Sequence, residues 1–506
     1  MDSATHVAAF LRAATPDWRV GGPRRAMAYH AADRLLRRHP GIARHDLLTA
    51  VVCGEVAEVA RRLDADPALA NRRAGVRHWP PLLYLCAARL PHAPSADHAI
   101  EIARLLLDHG ADPNAYAEGG NASIHYTALT LTLGRGEERA APHPRARELA
   151  RLLMERGASP YDVQVLYNVF GNHDSRRPLS DDDVWLLDLM HEISVRQGRG
   201  ADWDNPEWRM LDMGGYGHGA YYLLHAAVTA NLPGLATWML AHGASPNATT
   251  PVHPRLKWRP LLLEAERRGL SEMTNLLRRH GATPGDTAAT APPTGEDAWV
   301  EACFRLDRGA MRTMLAQNPE WALHPRALHA AARRDRADVV EALLAMGTSP
   351  EVEHPRSGER ALHAAAGNDA VRAIDVLLAH GAEVDPRERQ WGATPLWFAV
   401  WGGYSAAAAR LAPVSRDVWS LVALGQVARL RAVLEEDPSL ARSAGEHETP
   451  LMYLPDDEAV AREIATLLVR HGADLSVRDE RGLTAAELAT ERGMDDVAAL
   501  LRDTTT

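Results

Sequence analysis

Residues 361–385, ALHAAAGNDAVRAIDVLLAHGAEVD, contain two short apolar faces separated by a small polar turn. Leu362 and the alanines that follow mark the first face, and Ile374 and Leu377 mark the second at helical spacing. Gly381 follows the second face and can take the left-handed conformation that ends a helix. The stretch therefore predicts two helices joined by a tight turn.

The end of this unit, a leucine pair followed closely by Gly and a small residue, recurs along the chain. Gly347 and Gly381 are 34 residues apart (381 − 347), so neighbouring copies follow a regular period. A pair of short helices cannot bury its apolar face alone, so neighbouring pairs must stack into one continuous core. The copies end at Asn114, Pro160, Asn247, Pro284, Pro350, Asp385 and Leu475.

The start of the unit recurs as well. Four clear copies are Ala327-Leu328-His329, Ala361-Leu362-His363, Thr394-Pro395-Leu396 and Thr449-Pro450-Leu451. Together with the Val-x-x-Leu-Leu helix and the Gly-Ala-Asp close, these starts resemble the ankyrin repeat. The resemblance covers roughly residues 45–160 and 220–503. It implies an all-α, ankyrin-type helix-turn-helix solenoid of about 11–13 repeats, several of them degenerate, with an N-terminal helical cap.

A variant of the repeat ends in a different way. An Asp or Asn followed by Pro and then by an apolar residue and Ala occurs at residues 66–70, 318–322 and 437–441. After the first and third copies the chain continues in parallel, with PLLYL and then PLMYL. This pattern favours an internal duplication of a two-repeat cassette.

The repeats divide the chain into four parts. Residues 1–44 offer two helical stretches and predict the cap, and residues 45–284 form a first array that contains an irregular segment at 161–222. Residues 285–297 are rich in Gly, Pro and Thr without apolar periodicity, which predicts a linker. Residues 298–506 form a second array that closes with a C-terminal cap.

Composition excludes several classes of protein. The chain has 506 residues, 46% of them apolar and 24% charged, and no apolar run long enough to span a bilayer. The N-terminal residues lack the basic start and apolar core of a secretory signal, so we expect a cytoplasmic protein without a membrane partner. The formal net charge of −10 gives no overall attraction to nucleic acid, and no nucleic-acid partner is expected.

The sequence offers little support for catalysis or for a bound cofactor. Cys53, Cys86 and Cys303 are far apart in apolar segments, which predicts buried thiols. His and Asp residues cluster between 173 and 192, but no metal-binding spacing is present, and an acidic helix start explains the aspartates more simply. The loop GGYGHG at 214–219 lacks the context of a phosphate-binding motif. We therefore expect no enzyme activity, no metal and no cofactor.

Two aromatic clusters are the candidate binding sites, and the first lies in the irregular segment. Trp and Tyr side chains interspersed with Gly are typical of recognition loops, where rigid anchors alternate with adaptable backbone. The alternative is that the tryptophans cover an imperfect helix pair. The candidate residues here are Trp203, Trp208, Tyr216, His218 and Tyr222.

The second cluster is QWGATPLWFAVWGGY at residues 390–404. In the repeat register Trp391 falls on the finger before the Gly, Trp401 on the variable end of the first helix, and Tyr404 at the start of the second helix. Trp391 and Trp401 are expected to face the groove, with structural packing as the alternative, whereas Trp397 replaces the usual His and is expected to be buried. The positions equivalent to Trp401 in neighbouring repeats are Gly367 with Asn368 and Arg333 with Arg334. The predicted groove therefore mixes aromatic, small and basic groups, which suits a peptide or protein surface with some acidic character.

Two functions follow from these observations. The first is a non-enzymatic interaction scaffold that binds another protein or a peptide through its concave groove and finger loops. The second is an enzyme or small-ligand receptor whose pocket is built by residues 161–222, since fold alone does not decide function. The second hypothesis requires His173, His191 and His218 to converge on one cavity.

Overall fold

The computed structural model of the chain describes residues 3–16, 22–90, 94–118, 125–134, 141–166, 168, 183–200, 223–229, 231–247, 260–284, 294–443 and 448–503. The chain forms two compact units. We call residues 50–88 with 94–305 the central unit, and residues 1–49 and 89–93 with 306–506 the C-terminal unit. Within the described residues, no helix combines the length and the apolar character needed to cross a bilayer.

The central unit consists of helices in pairs, beginning with α3, which starts just before the unit's boundary. These helices are α3 (Leu47–Cys53), α4 (Val56–Ala65), α5 (Pro81–Ala87), α6 (Ser95–Asp108), α7 (Ala128–Leu133), α8 (Ala146–Glu155), α9 (Val163–Leu166), α10 (Val184–Arg196), α11 (Leu223–Thr229), α12 (Pro233–Ala241), α13 (Leu261–Arg267), α14 (Ser271–Arg279) and α15 (Gly295–Phe304). A finger before α7 forms two antiparallel strands, β1 (Tyr116–Glu118) and β2 (His125–Thr127), with Ala117 opposite Tyr126.

The C-terminal unit combines an N-terminal helical hairpin with further helix pairs. The hairpin is α1 (Ser3–Ala14) and α2 (Gly22–Arg38). The other helices are α16 (Arg308–Gln317), α17 (Pro325–Arg333), α18 (Ala337–Ala345), α19 (Ala361–Ala366), α20 (Val371–Ala379), α21 (Pro395–Gly402), α22 (Ser405–Leu411), α23 (Val418–Ala423), α24 (Val427–Glu436), α25 (Glu458–Arg470), α26 (Ala485–Glu491) and α27 (Asp495–Asp503).

Each pair follows the local pattern seen in the sequence. Leu362 in α19 and Ile374 and Leu377 in α20 are fully or almost fully buried, and Gly381 ends the pair at φ +78°. First helices pack on first helices, as α17, α19 and α21 do, and second helices pack on second helices, as α18, α20 and α22 do. We call these two rows the inner and the outer layer. The structure is thus the all-α, ankyrin-type solenoid that the sequence predicts.

The variant repeat ends form a structure of their own. Residues Pro67–Asn71, Pro319–Leu323 and Pro438–Arg442 each form a short 3-10 helix. In two of them an aspartate caps the turn: Asp66 accepts a hydrogen bond from the amide of Ala68, and Asp437 accepts one from the amide of Ser439. Two further 3-10 helices span Pro40–Arg44 and Pro450–Tyr453, and the second of these takes the inner position before α25.

The N-terminal hairpin lies against the last repeats of the C-terminal unit. Helix α2 packs on α1 and on the inner helix α21, so its alanines 31 and 32 and its Leu35 are buried. Arg34 donates to the backbone carbonyls of Asp456 and Arg492, which lie in the turns between inner and outer elements. The cap role of residues 1–44 stays a prediction, but their contacts in this unit are with repeats at the other end of the chain.

Other predicted boundaries meet the structure only in part. Residues 295–297, placed in the linker by the sequence, form the first turn of α15, where Glu296 and Asp297 favour a helix start. Residues 285–293 and most of segment 161–222 lie outside the described residues, so the division into two arrays stays a prediction. All three cysteines are buried without a disulfide, as expected, and burial raises the pKa of Cys303 to about 12.

Candidate functional site

Three tryptophans of the C-terminal unit stack in one column. The ring centroids of Trp397 and Trp401 are 5.1 Å apart with an interplanar angle of 8°. Trp391 continues the column at 6.4 Å and 24° from Trp397. Trp391 is 56% exposed, and the other two rings are half-buried. We call these three residues the tryptophan stack.

Helix α21 sets the position of two members of the stack. Trp397 and Trp401 are four residues apart, which places both on the same helix face. The hydroxyl of Thr394 caps the helix by accepting a hydrogen bond from the amide of Trp397 at 3.1 Å. The same hydroxyl donates to the buried carboxylate of Asp417 at 2.6 Å, which ties the start of α21 to the next repeat. The stack therefore stands on a well-anchored helix.

A buried carboxylate holds the third member in place. The side chain of Glu388 is only 3% exposed and accepts hydrogen bonds from the backbone amides of Gln390 and Trp391, both at 2.6 Å, and of Ala393 at 3.1 Å. Its own amide donates to the Ala393 carbonyl. These bonds close the finger before α21 into a tight turn. Trp391 is therefore exposed on a backbone that is already ordered.

The prediction that Trp397 is buried is wrong. At the equivalent position of the two preceding repeats, His329 and His363 are buried and direct Nε2 to a backbone carbonyl, of Val352 at 2.9 Å and of Ala393 at 3.1 Å. An indole is larger than an imidazole, and the Trp397 side chain is only half-buried. It lies instead between Trp391 and Trp401, where the ring faces are covered by other rings.

The two predicted arginines lie two repeats before the stack, at the end of α17. Arg333 forms an ion pair with Glu359 at 3.1 Å. Arg334 follows the last residue of α17 and donates to the carbonyl of Ala330 at 3.1 Å. Both arginines thus interact with other residues of the repeats. The structure does not place either of them next to the tryptophan stack.

Tyr404 lies at the turn between α21 and α22. It is half-buried, and its amide donates to the carbonyl of Ala399 at 2.8 Å. Helix α2 packs on α21. In later repeats, Arg34 of α2 donates to the carbonyls of Asp456 and Arg492, which lie at turns that correspond to the one at Tyr404. We infer that the hairpin lies toward the Trp401 end of the stack, which leaves the Trp391 end open at the finger.

The candidate binding residues of the irregular segment lie outside the described part of the chain. Trp203, Trp208, Tyr216, His218 and Tyr222 lie outside the described residues, as does His173. His191 is described and contacts the rings of Trp238 and His242. The convergence of the three histidines therefore stays a prediction. Among the residues that the structure describes, no three His, Cys, Asp or Glu side chains are grouped closely enough to hold a metal ion.

The histidines that precede the repeat-end glycines are structural. Each follows the last residue of an outer helix, and two of them direct Nδ1 to the carbonyl four residues earlier, His109 to Leu105 at 2.8 Å and His242 to Trp238 at 2.7 Å. A proton donor at a helix C-terminus satisfies a carbonyl that the helix leaves open. The residues that share this position are His109, His242, His280, His380 and His471.

Sequence reasoning missed two carboxylates that organise the stack, Glu388 and Asp417. A signal for Asp417 exists, since Asp directly before an apolar helix is a common N-cap, and its side chain accepts from the amide of Trp419. Glu388 gives no such signal. A glutamate five residues before Ala393 is ordinary in a polar loop. Only the folded finger shows that its carboxylate accepts hydrogen bonds from three backbone amides.

A family model agrees with this architecture. A family model of ankyrin repeats matches residues 326–420 as three copies, and this stretch contains most or all of the pairs α17–α18, α19–α20 and α21–α22. A solved ankyrin repeat domain from Acinetobacter baumannii AYE is 20% identical, over 35% of this chain and 97% of its own, with a TM-score of 0.27. No curated protein matches the chain. The repeat pattern, the stacked helix pairs and the matching family model together show that this chain contains ankyrin repeats.

Proposed function

We propose that this chain binds a protein or peptide partner through the inner layer and the fingers of its C-terminal unit, with the tryptophan stack as the anchor. Ankyrin repeats are in general protein–protein interaction modules. The observation that carries the proposal is the 56% exposure of Trp391 at the open end of a column of three indoles. Contiguous exposed apolar surface marks interaction sites, whereas single exposed apolar side chains do not, and Trp is enriched among residues that dominate interface energy.

The stack has the physical properties that a binding anchor needs. Its rings stand on α21 and on a finger closed by Glu388, so little conformational entropy is lost when a partner binds. Indoles offer a large apolar area together with a polar N–H group, which suits partly wet interfaces. Rigid presentation is thus the proposed mechanism, and it requires neither a catalytic step nor a cofactor.

The proposed partner is a protein or peptide rather than nucleic acid or lipid. The net charge of −10 disfavours a polyanionic partner. The arginines at the end of α17 lack the freedom to bind phosphate, since Arg333 is paired with Glu359 and Arg334 is bonded to the helix backbone. The proposed location remains the cytoplasm.

Selection from a random displayed peptide library tests this proposal. Peptides enriched on the wild-type chain are measured against Trp391→Ala and against Leu323→Ala, which removes another exposed apolar side chain, 68% exposed, from a different repeat. We expect Trp391→Ala to weaken binding by about tenfold or more, as for an interface hot spot, and Leu323→Ala to leave it unchanged. Selected peptides that bind both variants equally well would refute the proposal.

A further inference from the structure

We propose that the ligand of the tryptophan stack is an uncharged, proline-rich peptide segment in the polyproline II conformation. This inference rests on the proposed function, because it names the chemical class that the same site would take. Three features support it: unused donors on the stack, paired charges around it, and the dimensions of the column.

The first feature is the hydrogen-bonding capacity of the indoles. Trp391 and Trp397 use their backbone amides, which donate to Glu388 and Thr394, but their indole N–H groups have no acceptor among the described residues. A complementary ligand supplies acceptors. A polyproline II helix has no internal hydrogen bonds, so its carbonyls are free to accept, and its prolines bring no N–H groups that would need partners. Proline-rich segments also dock commonly in aromatic-lined grooves.

The second feature is the state of the charges near the finger. Two arginines extend from the same finger: Arg389 pairs with Glu353, and Arg387 donates to the backbone carbonyl of Gly392 at 2.7 Å. Arg360, at the start of the preceding inner helix, pairs with Glu351 and Glu383. Each of these guanidinium groups already has a partner within the unit, a carboxylate for Arg360 and Arg389 and a backbone carbonyl for Arg387, so an acidic ligand would have to break existing ion pairs or hydrogen bonds. The expectation of an acidic partner, drawn from the sequence, is therefore replaced by that of a neutral one.

The third feature is the length and rigidity of the site. Successive ring centroids are 6.4 Å and 5.1 Å apart, and each separation is close to the length of two residues of polyproline II, which rises about 3.1 Å per residue. A segment of about four residues can therefore run along the stack. The finger and the peptide are both ordered before binding, because Glu388 fixes the finger and proline restricts the peptide backbone. Little conformational entropy is therefore lost when they associate.

Fluorescence anisotropy with defined labelled peptides tests the inference on the full chain. The probe is an uncharged proline-rich peptide, and the comparisons are the same peptide with its prolines replaced by alanine, an acidic peptide and an arginine-rich peptide. We expect the proline-rich peptide to bind most tightly and to lose about tenfold or more in affinity with Trp391→Ala. Trp391→Phe, which keeps a ring but removes the N–H, is expected to give an intermediate loss, and Leu323→Ala none.

The outcomes separate the two levels of the proposal. Equal binding of the proline and alanine peptides, tighter binding of either charged peptide, or no binding of the proline-rich probe overturns the inference about ligand class. If one of the other peptides binds and Trp391→Ala abolishes that binding, the site stands and only the class is wrong. Peptide binding that survives Trp391→Ala, with the melting temperature unchanged, overturns the site itself.

Discussion

Arg34 donates through Nε to the backbone carbonyl of Arg492 at 2.8 Å, although 458 residues separate them in the chain. Both guanidinium groups also reach one carboxylate oxygen of Asp456, from 3.4 Å and 3.2 Å. Burial lowers the pKa of Arg492 to about 10, against the opposite effect of the Asp456 charge. One carboxylate thus compensates two largely buried cations where the N-terminal hairpin meets the last repeats.

Removing that carboxylate's charge is expected to loosen the hairpin. Asp456→Asn leaves Arg34 and Arg492 close together without their counter-ion, and loss of one member of a buried ion pair costs about 3 kcal/mol. We expect a lower free energy of unfolding and faster amide exchange in α2, measured by urea denaturation and hydrogen exchange. The matched control is Asp495→Asn on the neighbouring ion pair with Arg38, where Asp495 is 70% exposed and the expected change is below about 1 kcal/mol. Equal effects of the two variants would contradict this account of the hairpin.

The finger that carries Trp391 is expected to depend on Glu388. In Glu388→Gln the side chain loses the charge that strengthens its bonds to three backbone amides. One of its two accepting oxygens is also replaced by an NH₂ group, which cannot accept a hydrogen bond. The expected cost is about 1–3 kcal/mol of folding free energy, together with weaker peptide binding. Urea denaturation and anisotropy measure the two effects. Glu383→Gln, which changes an exposed carboxylate of the same region, serves as the control, and a similar loss there would argue against a special role of Glu388.

Stability is expected to fall as pH drops below neutral, in part through His329. Burial lowers its pKa to about 4, against about 6.5 in the unfolded chain. Between these values the unfolded state binds a proton that the folded state does not, so the histidine destabilises the fold progressively as pH falls, by about 3 kcal/mol at most. Desolvation lowers the pKa of His363 as well, in the same direction. Urea denaturation between about pH 7 and pH 5 gives the free energy of unfolding at each pH. This free energy should fall less steeply with decreasing pH for His329→Gln than for the wild type. An unchanged slope would mean that His329 is not buried in its neutral form.

Trp397→His restores the residue found at the same position in the two preceding repeats. The imidazole can occupy the slot that His329 and His363 fill, so we expect the melting temperature to be nearly unchanged. The stack would lose its middle ring, and Trp391 would no longer contact another indole. Weaker peptide binding and loss of exciton coupling in the circular dichroism spectrum are the expected results. A variant that keeps full affinity would show that a continuous stack is not required.

Local patterns made much of the fold predictable. Helix pairs, the glycine that ends many of them at positive φ, and the histidine that often precedes it all follow from a few neighbouring residues, as Gly381 and His380 illustrate. The contact of Arg34 with Arg492 joins the two ends of the chain, and no periodicity in the sequence reports such a pairing. The exposure of Trp391 was predictable from the repeat register.

Its partnership with Trp397 was not predictable in the same way. The register places Trp397 at a buried position, and only the finger closed by Glu388 brings Trp391 close enough to stack on it. The ion pairs between repeats were not predictable either. Arg333 lies at the end of α17, and its pairing with Glu359 depends on how two repeats meet, which the sequence pattern does not encode.

The most direct test of the account is ¹⁹F NMR of the chain labelled with fluorotryptophan, during titration with a peptide selected on the wild-type protein. Signals are assigned by single substitutions of Trp391, Trp397 and Trp419, the last being an indole in the next repeat that donates to Ser443. We predict that the signals of Trp391 and Trp397 shift as the peptide binds and that of Trp419 does not. Saturating binding that leaves the Trp391 and Trp397 signals unmoved would contradict the claim that the tryptophan stack is the binding site.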